Sequence, residues 1–97
     1  MNHRIDEMLE PGSKIGILGG GQLGRMLAVA ATRLGFKSHI FEPAENSPAS
    51  QVSFQVSTAS YEDEKALIEF AKDVDVITYE FENIPTSALD ILSLIHI

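Results

Sequence analysis

Three consecutive glycines, Gly19, Gly20 and Gly21, interrupt the chain between a short apolar run, 15–18, and a helical pattern that contains Gly24. Gly19, Gly21 and Gly24 have the spacing G-x-G-x-x-G. That spacing, after a strand and opening a helix, suits an anion such as a phosphate. Glycine allows the tight turn and removes side chains that would block a ligand. The first backbone N–H groups of the helix have no partner within it and point outward. Gln22 stands at the first helical position, where its amide can donate and accept, and Leu23 follows it.

Two acidic groups follow further on. Glu42 lies 18 residues past Gly24, roughly where a dinucleotide-binding unit carries the acid for a ribose. It also precedes Pro43, so it reads equally as a strand-end residue. Glu80-Phe81-Glu82-Asn83 follows the β-rich run 74–79. A carboxylate there can recognise an amine or hydroxyl, or cap a helix. Asn83 is placed to cap a helix opened by Pro85. His3, His39 and His96 show no ligand spacing, no serine has a His/Asp partner that the sequence establishes, and no metal site is read.

The elements that must position these residues can be read in order. Strand 15–18 and helix 22–34 are followed by Gly35, a suitable C-terminal cap. Leu23, Met26, Leu27, Ala30, Ala31 and Leu34 fall on one helical face, which predicts that this face is the buried one. Strand 37–41 completes a right-handed βαβ unit with a parallel pair. Residues 44–59 are rich in Ser, Pro and Asn and predict a loop, with a short strand suggested by Val52, Phe54 and Val56. Helix 62–72 buries Ala66, Leu67, Phe70 and Ala71 and starts with three acids; strand 74–79 and a helix 86–94 follow. Tyr61 and Tyr79 read as packing residues. The fold class is α/β, a Rossmann-like open parallel sheet with flanking helices. Ligands of such sheets sit beyond the carboxyl ends of the strands, where the glycine turn, Glu42 and Glu80–Asn83 converge.

Composition narrows the function. Ninety-seven residues build one small domain. No apolar stretch reaches a membrane span, the N-terminus has no signal-peptide pattern, and cysteine is absent, all of which fit a cytoplasmic protein. The net charge of −7 divides unevenly: residues 1–41 carry five Lys/Arg against three Asp/Glu, residues 42–97 two against eleven. A nucleic-acid partner is disfavoured, and the basic half holds the glycine turn, which suits a phosphorylated small molecule.

The run from Ile15 through Gly-Ile-Leu-Gly-Gly-Gly-Gln-Leu-Gly-Arg-Met to Leu27, together with Asp75-Val-Ile-Thr-Tyr-Glu-Phe-Glu-Asn83 and Pro48-Ala-Ser-Gln-Val52, closely resembles the amino-terminal domain of the N5-carboxyaminoimidazole ribonucleotide synthase family, within the ATP-grasp superfamily. The resemblance covers about residues 11–92. It implies a pre-ATP-grasp domain over 14–91, an irregular lead-in 1–13 and an atypical end 92–97. It also implies a chain truncated before the ATP-grasp region. The activity implied is ATP-dependent carboxylation of 5-aminoimidazole ribonucleotide by bicarbonate in purine biosynthesis. ATP and Mg²⁺ serve the full-length enzyme from sites outside this chain, the full-length family forms homodimers, and the 97 residues alone are expected to be inactive. Substrate contact is implied at Gly20, Gly21, Gln22, Leu23 and Glu80, with Glu42, Glu82 and Asn83 as secondary candidates and no catalytic residue. The related formate-dependent glycinamide ribonucleotide transformylase typically has Glu where this chain has Gln22 and ranks second. An NAD-binding dehydrogenase half-domain using Gly19, Gly21, Gly24 and Glu42, and a non-catalytic interaction module, are the readings from other classes.

Overall fold

The structure, a computed structural model, describes residues 10–79 and Ala88. Within residues 10–79, four strands and two helices follow one another as β1 (Lys14–Leu18), α1 (Gln22–Arg33), β2 (Lys37–Phe41), a 3-10 turn (Ala49–Gln51), β3 (Gln55–Ser57), α2 (Glu64–Asp73) and β4 (Val76–Tyr79). The strands form one parallel sheet in the order β3-β2-β1-β4. In register, Leu18 pairs with Phe41 on one side and with Tyr79 on the other. The chain thus winds one way from β1 to β2 and β3, then crosses back to place β4 on the far side of β1. That reversal creates the switch point at which open α/β sheets hold ligands.

Alternation along the strands sends successive side chains to opposite faces, and each face has its own core. Ile17 and Ile40 meet Ala28 of α1 and Ala49 of the 3-10 turn. Leu18 and Phe41 meet Leu67, Phe70 and Ala71 of α2, with Val74 and Ala88. Phe41 stacks on Tyr61 and meets Phe70 edge-on, so Tyr61 is a packing residue as its sequence context predicts. Burial of each large side chain here is worth about 1.5–3 kcal/mol. Gly16 admits α2 closely, because a Cβ there would come within 2.7 Å of Phe70 and 2.9 Å of Val74.

The two helices depart from expectation in different ways. In α2 the face of Leu67, Phe70 and Ala71 is buried, and the Asp63 side chain caps the first turn by accepting from the Ala66 amide at 3.0 Å. In α1 the buried residues are Gly24, Ala28 and Ala31, while Leu23, Met26 and Leu34 are 46%, 66% and 71% exposed. The predicted face is therefore rotated. The small residues lie against the sheet because they let the helix approach it, and the large ones fall on the flank. Ala30, Ala31 and Leu34 edge an apolar groove over Ile15, Ile17 and Val76. After α1, Gly35 has φ +88°, the left-handed conformation that ends a helix. The strand suggested by Val52, Phe54 and Val56 is shifted toward the C-terminus, to Gln55–Ser57. The helix expected over 86–94, apart from Ala88, and the end 92–97 lie outside the described residues.

Candidate functional site

The glycine turn runs off the carboxyl end of β1 directly into α1. Gly19 has φ +107°, a conformation that other residues rarely adopt, and its amide donates to the Phe41 carbonyl at 2.9 Å. Gly20 is enclosed by the loop after β2. Its amide donates to Glu42 Oε1 at 2.7 Å, and its carbonyl accepts from the Ala49 amide at 2.9 Å. The second Glu42 oxygen accepts from the Ala44 amide at 3.0 Å. A Cβ on Gly20 would lie 2.6 Å from Ser47 Oγ and 2.9 Å from Glu42 Cγ, so the position has no room for a side chain.

Gly21 is the N-cap of α1 and brings no capping side chain, and the first turn carries no acid. Within the helix nothing offsets the partial positive charge at its start. The side chains of Gln22 and Leu23 are exposed there. Arg25, one turn on, donates from Nη1 to Gln51 Oε1 at 2.9 Å and so ties the 3-10 turn to α1. The 42–51 loop is thus fastened to the glycine turn and to the first turns of α1.

Of the residues singled out in the sequence, Gly20, Gly21, Gln22, Leu23 and Glu42 lie together at this edge. The backbone of Gly20 and the carboxylate of Glu42 are engaged with each other or with the loop, whereas the Gln22 side chain is exposed. Glu80, Glu82 and Asn83 lie outside the described residues; Glu80 follows Tyr79, the last residue of β4.

A second polar cluster was not legible in the sequence. His39, buried in β2, has Nδ1 2.8 Å from Asp73 Oδ2 and Nε2 2.7 Å from Ser57 Oγ. Lys14 donates from Nζ to the other Asp73 oxygen at 2.8 Å and to Gln55 Oε1 at 3.2 Å. The Lys14 hydrogen bond, with that from His39, holds the Asp73 carboxyl below its ordinary value against some desolvation. Burial pushes His39 below its ordinary 6.5, the hydrogen bond and charge of Asp73 opposing this and the charge of Lys14 adding to it. An ionised Asp73 can only accept, so His39 Nδ1 carries the proton and the neutral ring accepts from Ser57 through Nε2. The members lie 18 and 34 residues from His39 in sequence, and only the pairing of β2 with β3 and the docking of α2 unite them.

Residues 12–95 match a protein family described as the ribonucleotide synthetase preATP-grasp domain. The chain belongs to that family. The preATP-grasp domain is 59% identical over 85 residues to N5-carboxyaminoimidazole ribonucleotide synthase of Brucella melitensis, an alignment covering 88% of this chain and 24% of the relative. Its backbone resembles the crystal structure of N5-carboxyaminoimidazole synthetase from Staphylococcus aureus with TM-score 0.85 at 44% identity, over 91% of this chain and 24% of that one. The Aspergillus clavatus N5-carboxyaminoimidazole synthase, solved with ADP and 5-aminoimidazole ribonucleotide, gives TM-score 0.73 at 41% identity, over 87% of this chain and 23% of that one. The preATP-grasp domain thus spans about a quarter of the length of these relatives. The α/β parallel-sheet class expected from the sequence is the one observed.

Proposed function

We propose that this preATP-grasp domain forms the acceptor-substrate wall of an ATP-dependent carbon–nitrogen ligase that converts 5-aminoimidazole ribonucleotide and bicarbonate to N5-carboxyaminoimidazole ribonucleotide in purine biosynthesis. The observation that carries the reading is the start of α1, where Gln22 and Leu23 are exposed and the first turn holds no acid, beside the sheet's switch point, in a chain 59% identical to such a synthase. A ribose-phosphate ester meets the helix start, where amide dipoles favour its charge. Gln22 donates to a phosphate or ribose oxygen, and Leu23 packs on the sugar. Glu80 holds the amine or a hydroxyl of the same molecule; Glu82 and Asn83 are secondary contacts. Gly20 and Glu42 shape the turn, since the Gly20 amide is occupied by Glu42 at 2.7 Å.

The remaining parts of the reaction follow from the same proposal. ATP supplies the energy for carboxylation, with Mg²⁺ as its counterion. Among the described residues no group of three or more His, Cys, Asp or Glu is placed to hold a metal ion. In this reading ATP and its metal are assigned to the part of the longer enzyme outside this domain. The 97 residues alone are then inactive as a ligase. We assign the complete enzyme to the cytoplasm and to a homodimer; no helix among the described residues is long and apolar enough to cross a membrane.

Calorimetric titration separates this reading from a dinucleotide site. Saturable binding of aminoimidazole ribonucleotide, weakened about tenfold by Gln22→Ala, is expected, because one lost hydrogen bond is worth about 1–1.5 kcal/mol. Saturable NAD binding that disappears in Glu42→Ala overturns it.

A further inference from the structure

We propose that Ser57 is a reactive serine, with His39 as its general base and Asp73 as the residue that orients the base, open to an activated acyl group. The three side chains make a continuous hydrogen-bonded chain: Ser57 Oγ to His39 Nε2 at 2.7 Å and His39 Nδ1 to Asp73 Oδ2 at 2.8 Å. Both distances are those of a nucleophile paired to a base and of a base paired to its orienting group. The same three residues line a cavity of about 450 Å³ between α2 and the β3 edge of the sheet. Ala59, Ala66 and Phe70 give it an apolar wall, as a small acyl group requires. The Phe70 ring meets the imidazole edge-on, with centroids 4.8 Å apart, and fixes its plane. Lys14 holds Asp73 through the other oxygen, so the orienting carboxylate is itself held. The cluster shares no residue with the glycine turn, and the ligase reading makes no use of it.

The step balances without a co-reactant. Ser57 Oγ attacks the carbonyl carbon of an activated ester while its proton passes to His39 Nε2. The carbon–oxygen bond to the leaving group breaks, and the leaving alkoxide or phenoxide departs with that proton. The product is an acyl-Ser57 ester. Turnover would also need donors aimed at the developing oxyanion; covalent capture needs only the nucleophile and its base, so the assignment is a reactive serine and not a hydrolase.

The test uses p-nitrophenyl acetate on the 97-residue chain, with nitrophenolate release followed by colour and the acetyl group located by peptide mass mapping. The expected result is a burst of one equivalent, acetyl at Ser57, and a rate about a hundredfold above that of the same chain in denaturant. Ser57→Ala removes the burst. Asp73→Asn slows it by about tenfold or more while leaving Ser57 in place, because the amide no longer enforces the tautomer with its proton on Nδ1. Acetyl confined to lysines, a rate equal to that of the denatured chain, or a burst unchanged in Asp73→Asn overturns the proposal.

Discussion

Glu42 Oε1 accepts a hydrogen bond from the Gly20 amide at 2.7 Å, which turns the acid at the end of β2 inward onto the glycine turn. In a dinucleotide site this position would offer its oxygens to ribose hydroxyls. Here the other oxygen is taken by the Ala44 amide at 3.0 Å, and the carboxylate pins the loop to the turn. Glu42→Ala leaves the Gly20 amide without this acceptor. The expected loss is about 1–3 kcal/mol of stability, the range for a partly buried bond to a charged group, read from the urea midpoint. An unchanged midpoint would show that the latch contributes nothing.

Gly20→Ala tests how tightly the same loop closes on the turn. The new methyl would lie 2.6 Å from Ser47 Oγ and 2.9 Å from Glu42 Cγ, so the loop must move. A loss of about 1–3 kcal/mol is expected from overpacking, with weaker ribonucleotide binding in calorimetry.

Gly16→Ala makes the corresponding test on the opposite face of the sheet. Its methyl would meet Phe70 Cζ at 2.7 Å and Val74 Cγ2 at 2.9 Å. The double variant Gly16→Ala with Phe70→Leu should recover part of a loss of about 1–3 kcal/mol, since the smaller side chain vacates the clash. Chemical denaturation of the four members of the cycle measures this coupling.

Acid should weaken the fold from about pH 6.5 downward. His39 titrates below its ordinary 6.5 in the folded chain, so the unfolded chain binds the proton first. Stability is then full above 6.5 and declines as pH falls toward the folded value, at most about 1.4 kcal/mol per pH unit for one proton. Asp73, held below its ordinary 3.8, adds a loss in the same direction at lower pH. The charged groups around the ring are Asp73 and Glu69 of α2 and Lys14 of β1. Urea midpoints across pH 5–7.5 should show the slope in the parent and a flatter profile in His39→Gln.

The flank of α1 gives a prediction opposite to the one its helical periodicity suggests. Met26 and Leu34 are 66% and 71% exposed, so Met26→Gln and Leu34→Gln should change stability by less than about 0.5 kcal/mol. Leu67→Ala, at a fully buried site, should cost about 2–5 kcal/mol. Thermal or urea denaturation of the three variants decides the point.

The fold was legible because it rests on local rules. The apolar run before Gly19, the β-rich run 37–41 and the acid-headed helix ending at Asp73 each carry their own period and punctuation, and β2 falls on the residues read from the sequence. The burial of α1 was not legible. Helical periodicity reports every apolar side chain alike, whereas the sheet accepts the face of Gly24, Ala28 and Ala31 because small residues permit close approach.

Sequence alone determined that a glycine turn opens a helix at the edge of a parallel sheet, since strand, turn and helix are contiguous and their geometry follows from backbone sterics. It also carried the family, through two motifs at fixed separation. Only the tertiary structure decided what the charged and polar groups do. Glu42 turns in to Gly20, and His39 joins Ser57 and Asp73, because strand order and helix docking set which distant side chains meet, and no local period encodes that choice.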